Sequence, residues 1–143
     1  MFQPTRHQAR RFFFGAWRKY RADEPLEGLE RTAVAIAIEH PEYHGVLDDP
    51  GRYAEMEYFP EMGETNPFLH LAMHLALEEQ LSIDQPPGVR QRFDAAVAAR
   101  GSRHEALHAA IDCLGEMLWR ANRDGTPPDA AFYLDCLERL AAK

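Results

Sequence analysis

Residues 66–83 read NPFLHLAMHLALEEQLSI. Asn66 is a good N-cap, and Pro67 falls at the first helical position, where the missing N–H costs nothing. Phe68, Leu69, Leu71, Met73, Leu75, Leu77 and Leu81 then surround most of a helical circumference, the pattern of a helix buried on nearly all sides. The stretch predicts the central helix of the fold.

The flanking sequence continues the pattern. Toward the N-terminus, helices are predicted over Arg6 to Tyr20, with Thr5 as N-cap, and over Leu26 to His40, where Leu29, Ala33 and Ile36 form a stripe that runs onto His40. Pro41 discourages any continuation, which leaves His40 pointing toward the core at a helix end. From Gly45 to Thr65 the periodicity fails, and a loop with one short helix is expected. Past the central helix, DQPPG is a stop. Helices follow over Val89 to Arg100, with Gly101 beyond the end, and from a Ser102/Glu105 capping box through Asn122, with Leu107, Ile111, Leu114 and Leu118 inward. Thr126 and Pro127 open the last, with Leu134, Leu137 and Ala141 inward. No segment alternates with period two, so the expected fold is all-α, a single-domain bundle of five or six helices over residues 1–143.

A chain of 143 residues can close one core without an obligatory staple, and 45% hydrophobic with 27% charged residues is ordinary globular usage. No apolar run approaches the ~20 residues of a spanning helix, and RRFFFGAW is too short and too quickly followed by Arg18, Lys19 and Arg21 to be a signal peptide. Cys113 and Cys136 lie in helical patterns outside any CxxC pair, so neither a disulfide framework nor a thiolate zinc site is expected, and a reducing cytoplasm fits.

Histidine placement carries the chemistry. Six of seven histidines fall in pairs four apart: His40 and His44, His70 and His74, His104 and His108. Two pairs extend into ladders, His70, His74, Glu78 and His104, His108, Asp112. A step of four turns the helix face by about 40°, so each ladder projects from one side. Two such imidazoles can share an ion while a facing helix supplies the rest, and imidazole with carboxylate but no thiolate suits zinc or iron. The candidate metal ligands are His70, His74, His104 and His108, with Glu78 and Asp112 as further ligands or as acceptors orienting the rings, and His40 from outside the ladders. The bland alternative is a hydrogen-bonded polar core in a non-catalytic structural or interaction protein. HEALH, 104–108, also satisfies H-E-x-x-H, in which Glu105 would serve as general base of a zinc hydrolase. That motif is short, and Glu105 already has work in the capping box.

Six basic residues precede the first acid, Asp23, leaving ten against 23 acids in the remainder. RRFFFGAWRKY interleaves bases with aromatics, as a single-strand nucleic-acid or membrane-surface contact would. The favoured reading docks Phe13, Trp17 and Tyr20 into the core and pairs the bases with the acidic body, which makes nucleic acid a poor partner. A homo-oligomer is compatible with the sequence.

HPEYH, NPFLHLAMHLALEEQLSIDQPPG and CLGEMLWRANRDGTPPD together resemble an uncharacterised bacterial family catalogued as domain of unknown function 1841. The likeness extends from RRFFFGAW to YLDCLERL. It implies a small cytoplasmic helical protein and brings no catalytic residues with it, so the site must be argued from the residues themselves.

Overall fold

The computed structural model describes residues 6–58 and 66–142, which are helices and connecting turns with no strand among them. In chain order these are α1 (Arg6–Arg21), α2 (Leu29–Ile38), a 3-10 turn at Pro41–Tyr43, α3 (His44–Leu47), α4 (Pro50–Tyr53), α5 (Pro67–Ile83), α6 (Val89–Arg100), α7 (Arg103–Asp124) and α8 (Ala130–Leu140). The class is the expected one. The number is not: eight α-helices among the described residues replace five or six, because the segment after Pro41 folds into two single-turn helices. Asp49 caps the second of these by accepting from the Arg52 N–H at 3.2 Å, with Pro50 next in line. This is the same Asx-Pro device that opens α5, here within what reads as a turn. Thr5 and residues 59–65 of the expected loop lie outside the described residues.

The chain forms two compact units, residues 1–75 and 76–143, and the division falls within α5. In the first, Phe13, Phe14, Ala16 and Trp17 of α1 share a core with Ala33, Val34, Ile36 and Ala37 of α2, Leu47 of α3, and Phe68, Leu71 and Leu75 of α5. The expected inward aromatics of α1 are thus in place, except that Tyr20 is exposed. Arg10 is buried with them. Its Nη1 donates to the carbonyls of Tyr53, Ala54 and Met56 at 3.3, 3.0 and 2.7 Å, and its guanidinium lies 4.8 Å from the Phe68 ring centroid. A planar cation here satisfies carbonyls at the end of α4 that no helical N–H can reach.

In the second unit α6, α7 and α8 pack on one another. Ser102 accepts from the Glu105 N–H at 3.2 Å, as the capping box predicts, and Gly101 stops α6 at φ 76°, a left-handed conformation that favours glycine. The last helix starts later than expected. Asp129, not Thr126, caps it by accepting from the Phe132 N–H at 3.1 Å. Leu118 is exposed rather than inward. At the end of α5, Arg90 donates to the carbonyls of Leu81 and Ser82, both at 2.9 Å. The Tyr133 hydroxyl donates to Gln80 Oε1 at 2.6 Å, both side chains being buried.

One expectation is overturned. Cys113 of α7 and Cys136 of α8 form a disulfide, with Cα atoms 5.8 Å apart across 23 residues of sequence. The CxxC test looks only for local pairing, whereas this pair is made by the packing of α7 on α8. Closing a loop of that length stabilises a fold by about 3 kcal/mol in the chain-entropy account.

Replacing Tyr133 by Phe would strand a buried amide acceptor, and a loss of roughly 1–3 kcal/mol is expected by urea denaturation. We propose that the two units nevertheless unfold as the single domain read from the sequence. One thermal transition by circular dichroism is the expected result, and two resolved transitions would make them separate domains.

Candidate metal centre

His40 is 2% exposed. The helix ahead of it ends at Ile38, and the His40 Nδ1 donates back to the Ile36 carbonyl at 2.8 Å. Because a carbonyl can only accept, this bond fixes the proton on Nδ1, and in the neutral ring the lone pair is on Nε2. Pro41 and the 3-10 turn then bring Tyr43 flat against the ring, with centroids 5.7 Å apart and planes inclined by 6°.

From α5, His70 and His74 meet this ring. Their four-residue spacing puts them on successive turns of one face, with centroids 4.7 Å apart and Nε2 atoms at 3.2 Å. His40 lies 5.2 Å from His70 and 4.6 Å from His74, edge to face in both cases. His74 is 2% exposed and His70 half-buried. One ring nitrogen from each of the three lies within 4.8 Å of the others. Tyr43 edges onto His70 at 6.1 Å, and burial, with a smaller contribution from the charge of Glu42, pushes its phenol pKa up. The phenol is therefore neutral at ordinary pH.

Residues 5–139 match the family model for a domain of unknown function, DUF1841. The chain belongs to the DUF1841 family. No curated protein and no solved structure matches it. The family assignment covers almost the whole chain and names no chemistry, so the geometry carries whatever function is read for this DUF1841 chain.

The remaining sequence candidates of the DUF1841 chain are placed differently. Glu78 accepts two bonds of 3.0 Å from the Arg103 guanidinium. His104 and His108 pair within α7 at 4.3 Å between centroids, His104 exposed and His108 half-buried, while Glu105 and Asp112 are exposed. His44, the partner of His40 in sequence, is turned to α1: its ring is 4.6 Å from Trp17 and its Nε2 donates to the Ala37 carbonyl at 2.8 Å. Of the candidates read from the sequence, His40, His70 and His74 are brought together in the first unit. Tyr43, a candidate hydrogen-bond partner of His70 and His74 in the metal-free reading, joins the cluster by ring contact because the Pro41 turn stacks residue 43 on residue 40.

Beside His44, Trp17 Nε1 donates to Asp48 Oδ1 at 2.7 Å, and Arg21 adds a two-pronged contact at 3.1 Å. The indole bond first, then Arg21, holds the Asp48 carboxyl below its usual range. A depressed folded pKa contributes stability that is complete above the unfolded value and is lost as pH falls through the folded one. The stability difference between the parent and Asp48→Asn, followed by thermal melts, is therefore expected to be constant near neutrality and to shrink below about pH 4.

Proposed function

We propose that this chain binds one zinc or iron ion through His70 Nε2, His74 Nε2 and His40 Nε2 of the first unit. The separation of the two α5 Nε2 atoms carries the reading. Imidazole nitrogens at about 2.0–2.1 Å from a tetrahedral zinc stand roughly 3.3–3.4 Å apart, and His70 and His74 hold theirs at 3.2 Å. The Ile36 carbonyl supplies the complementary support. Metal-bound histidines ordinarily give their other ring N–H to a carbonyl or carboxylate, which fixes tautomer and orientation, and His40 already does so. Imidazoles without thiolate fit zinc or iron.

The reading is narrower than two complete ladders. Glu78 is occupied by Arg103, and His104 and Asp112 face solvent. No reaction is assigned: a metal held by imidazoles can polarise a bound water or, as iron, meet oxygen, and both chemistries stay outside this proposal. The zinc-hydrolase reading of HEALH rests on the motif alone, and Glu105 stands in the first turn of α7 where its N–H completes a cap. The stronger competitor is a metal-free polar core, favoured by the same 3.2 Å distance read as a hydrogen bond in which one imidazole donates and the other accepts. In that reading the chain is a structural or interaction protein.

Elemental analysis by mass spectrometry on tag-free protein separates the two. About one equivalent of zinc or iron is expected in the parent and in His44→Ala, whose ring is engaged elsewhere. The His70→Ala/His74→Ala variant should lose it, with affinity for added zinc falling by more than the roughly 10–100-fold that loss of an outer partner brings. A parent that is empty and takes up neither metal would return the histidines to the core.

A further inference from the structure

A groove of about 570 Å³ runs beside α1 in the first unit, and the metal reading makes no use of it. Its apolar lining includes Phe14, Trp17 and Leu47, each under 9% exposed, and its charged lining is Arg18, Arg21 and Asp48. The volume is that of a small-molecule site, and an apolar lining with few polar groups is the usual composition of one.

The charges within it are unequal in availability. Asp48 is committed to the Trp17 indole and to both prongs of Arg21, so that pair is neutral and fixed. Arg18 reaches only one oxygen of Glu24, at 3.2 Å, between side chains that are 61% and 47% exposed. A surface pair of this kind is worth little and yields readily to a better acceptor. With Arg21 and Asp48 cancelling, the groove presents one net positive charge, at Arg18.

Gly15 supplies an independent observation. It lines the groove from within a 16-residue helix, where glycine costs about 1 kcal/mol relative to alanine. Its backbone is helical, and a Cβ there would meet no atom within 4 Å. Neither backbone conformation nor crowding calls for glycine at this position. What the missing side chain does is leave the groove open.

We propose that this groove binds a small amphipathic monocarboxylate, with its apolar part on Phe14, Trp17 and Leu47 and its carboxylate on Arg18. Recognition by apolar contact and one guanidinium selects an acid with a short aliphatic or aromatic body over both a neutral analogue and a polyanion. A charge-assisted bond at a half-exposed guanidinium sets the expected preference for the acid at about tenfold.

Octanoate is the probe and octanol its neutral counterpart. The full chain carries Trp119→Phe so that Trp17 is the single indole, and its emission reports the titration. Saturable binding of octanoate is expected in this background, about tenfold tighter than octanol. Arg18→Gln should abolish that preference while leaving octanol unchanged. Gly15→Leu, which favours the helix and fills the groove, should weaken both ligands at least tenfold while its circular dichroism stays that of the parent. Absence of saturable binding up to millimolar octanoate would overturn the proposal. So would equal affinity for acid and alcohol, or a folded Gly15→Leu that binds as before.

Discussion

Three imidazoles sit against one another in the first unit where apolar side chains would pack at lower cost, and meeting the needs of those rings shapes the local architecture. A buried polar ring costs free energy unless its nitrogens are engaged. The Ile36 carbonyl, which also accepts from the Glu39 N–H at 3.1 Å, meets one of those demands because α2 ends two residues before His40 and the ring folds back within reach of it. Pro41 enforces that ending, and the turn it begins is also what lays Tyr43 on the His40 ring. A helix running on past residue 40 would take away the acceptor, the turn and the stack together.

The same accounting explains the arginines of the basic head and of the stop after α5. Arg10 and Arg90 are spent on backbone carbonyls at helix ends, and Lys19 and Arg21 on the carboxylates of Glu30 and Asp48. Each substitutes a side-chain donor for the N–H that a terminating helix cannot supply, or holds one element to the next. Arg10, Lys19 and Arg21 of the six-base head are thus engaged within the first unit.

What was legible in the sequence follows the range of the interaction that decides it. Asn66-Pro67, Ser102/Glu105 and Gly101 act within four residues, and their helices begin and end where the residues say. Asp49-Pro50 is equally local, yet the surrounding DDPG has the composition of a turn, and the single-turn helix it caps is too short to show periodicity. Beyond local range the sequence speaks less. The Cys113–Cys136 bond depends on how α7 lies on α8, and the engagement of Glu78 by Arg103 depends on which residue the start of α7 presents. A four-residue spacing places Glu78 on the histidine face of α5 but is silent on the cation that has claimed it.

That claim matters for the chemistry the cluster would support. A carboxylate ligand lowers the net charge of a bound divalent ion and competes for its positive field, whereas neutral imidazoles leave the full charge to act on whatever else is bound. In the first unit the groups against His40, His70 and His74 include a phenol and a backbone carbonyl, both neutral, and Glu78 is tied to a guanidinium. An ion held there, as proposed above, would lie beside two rings that are each 2% exposed, where electrostatic attraction is little screened.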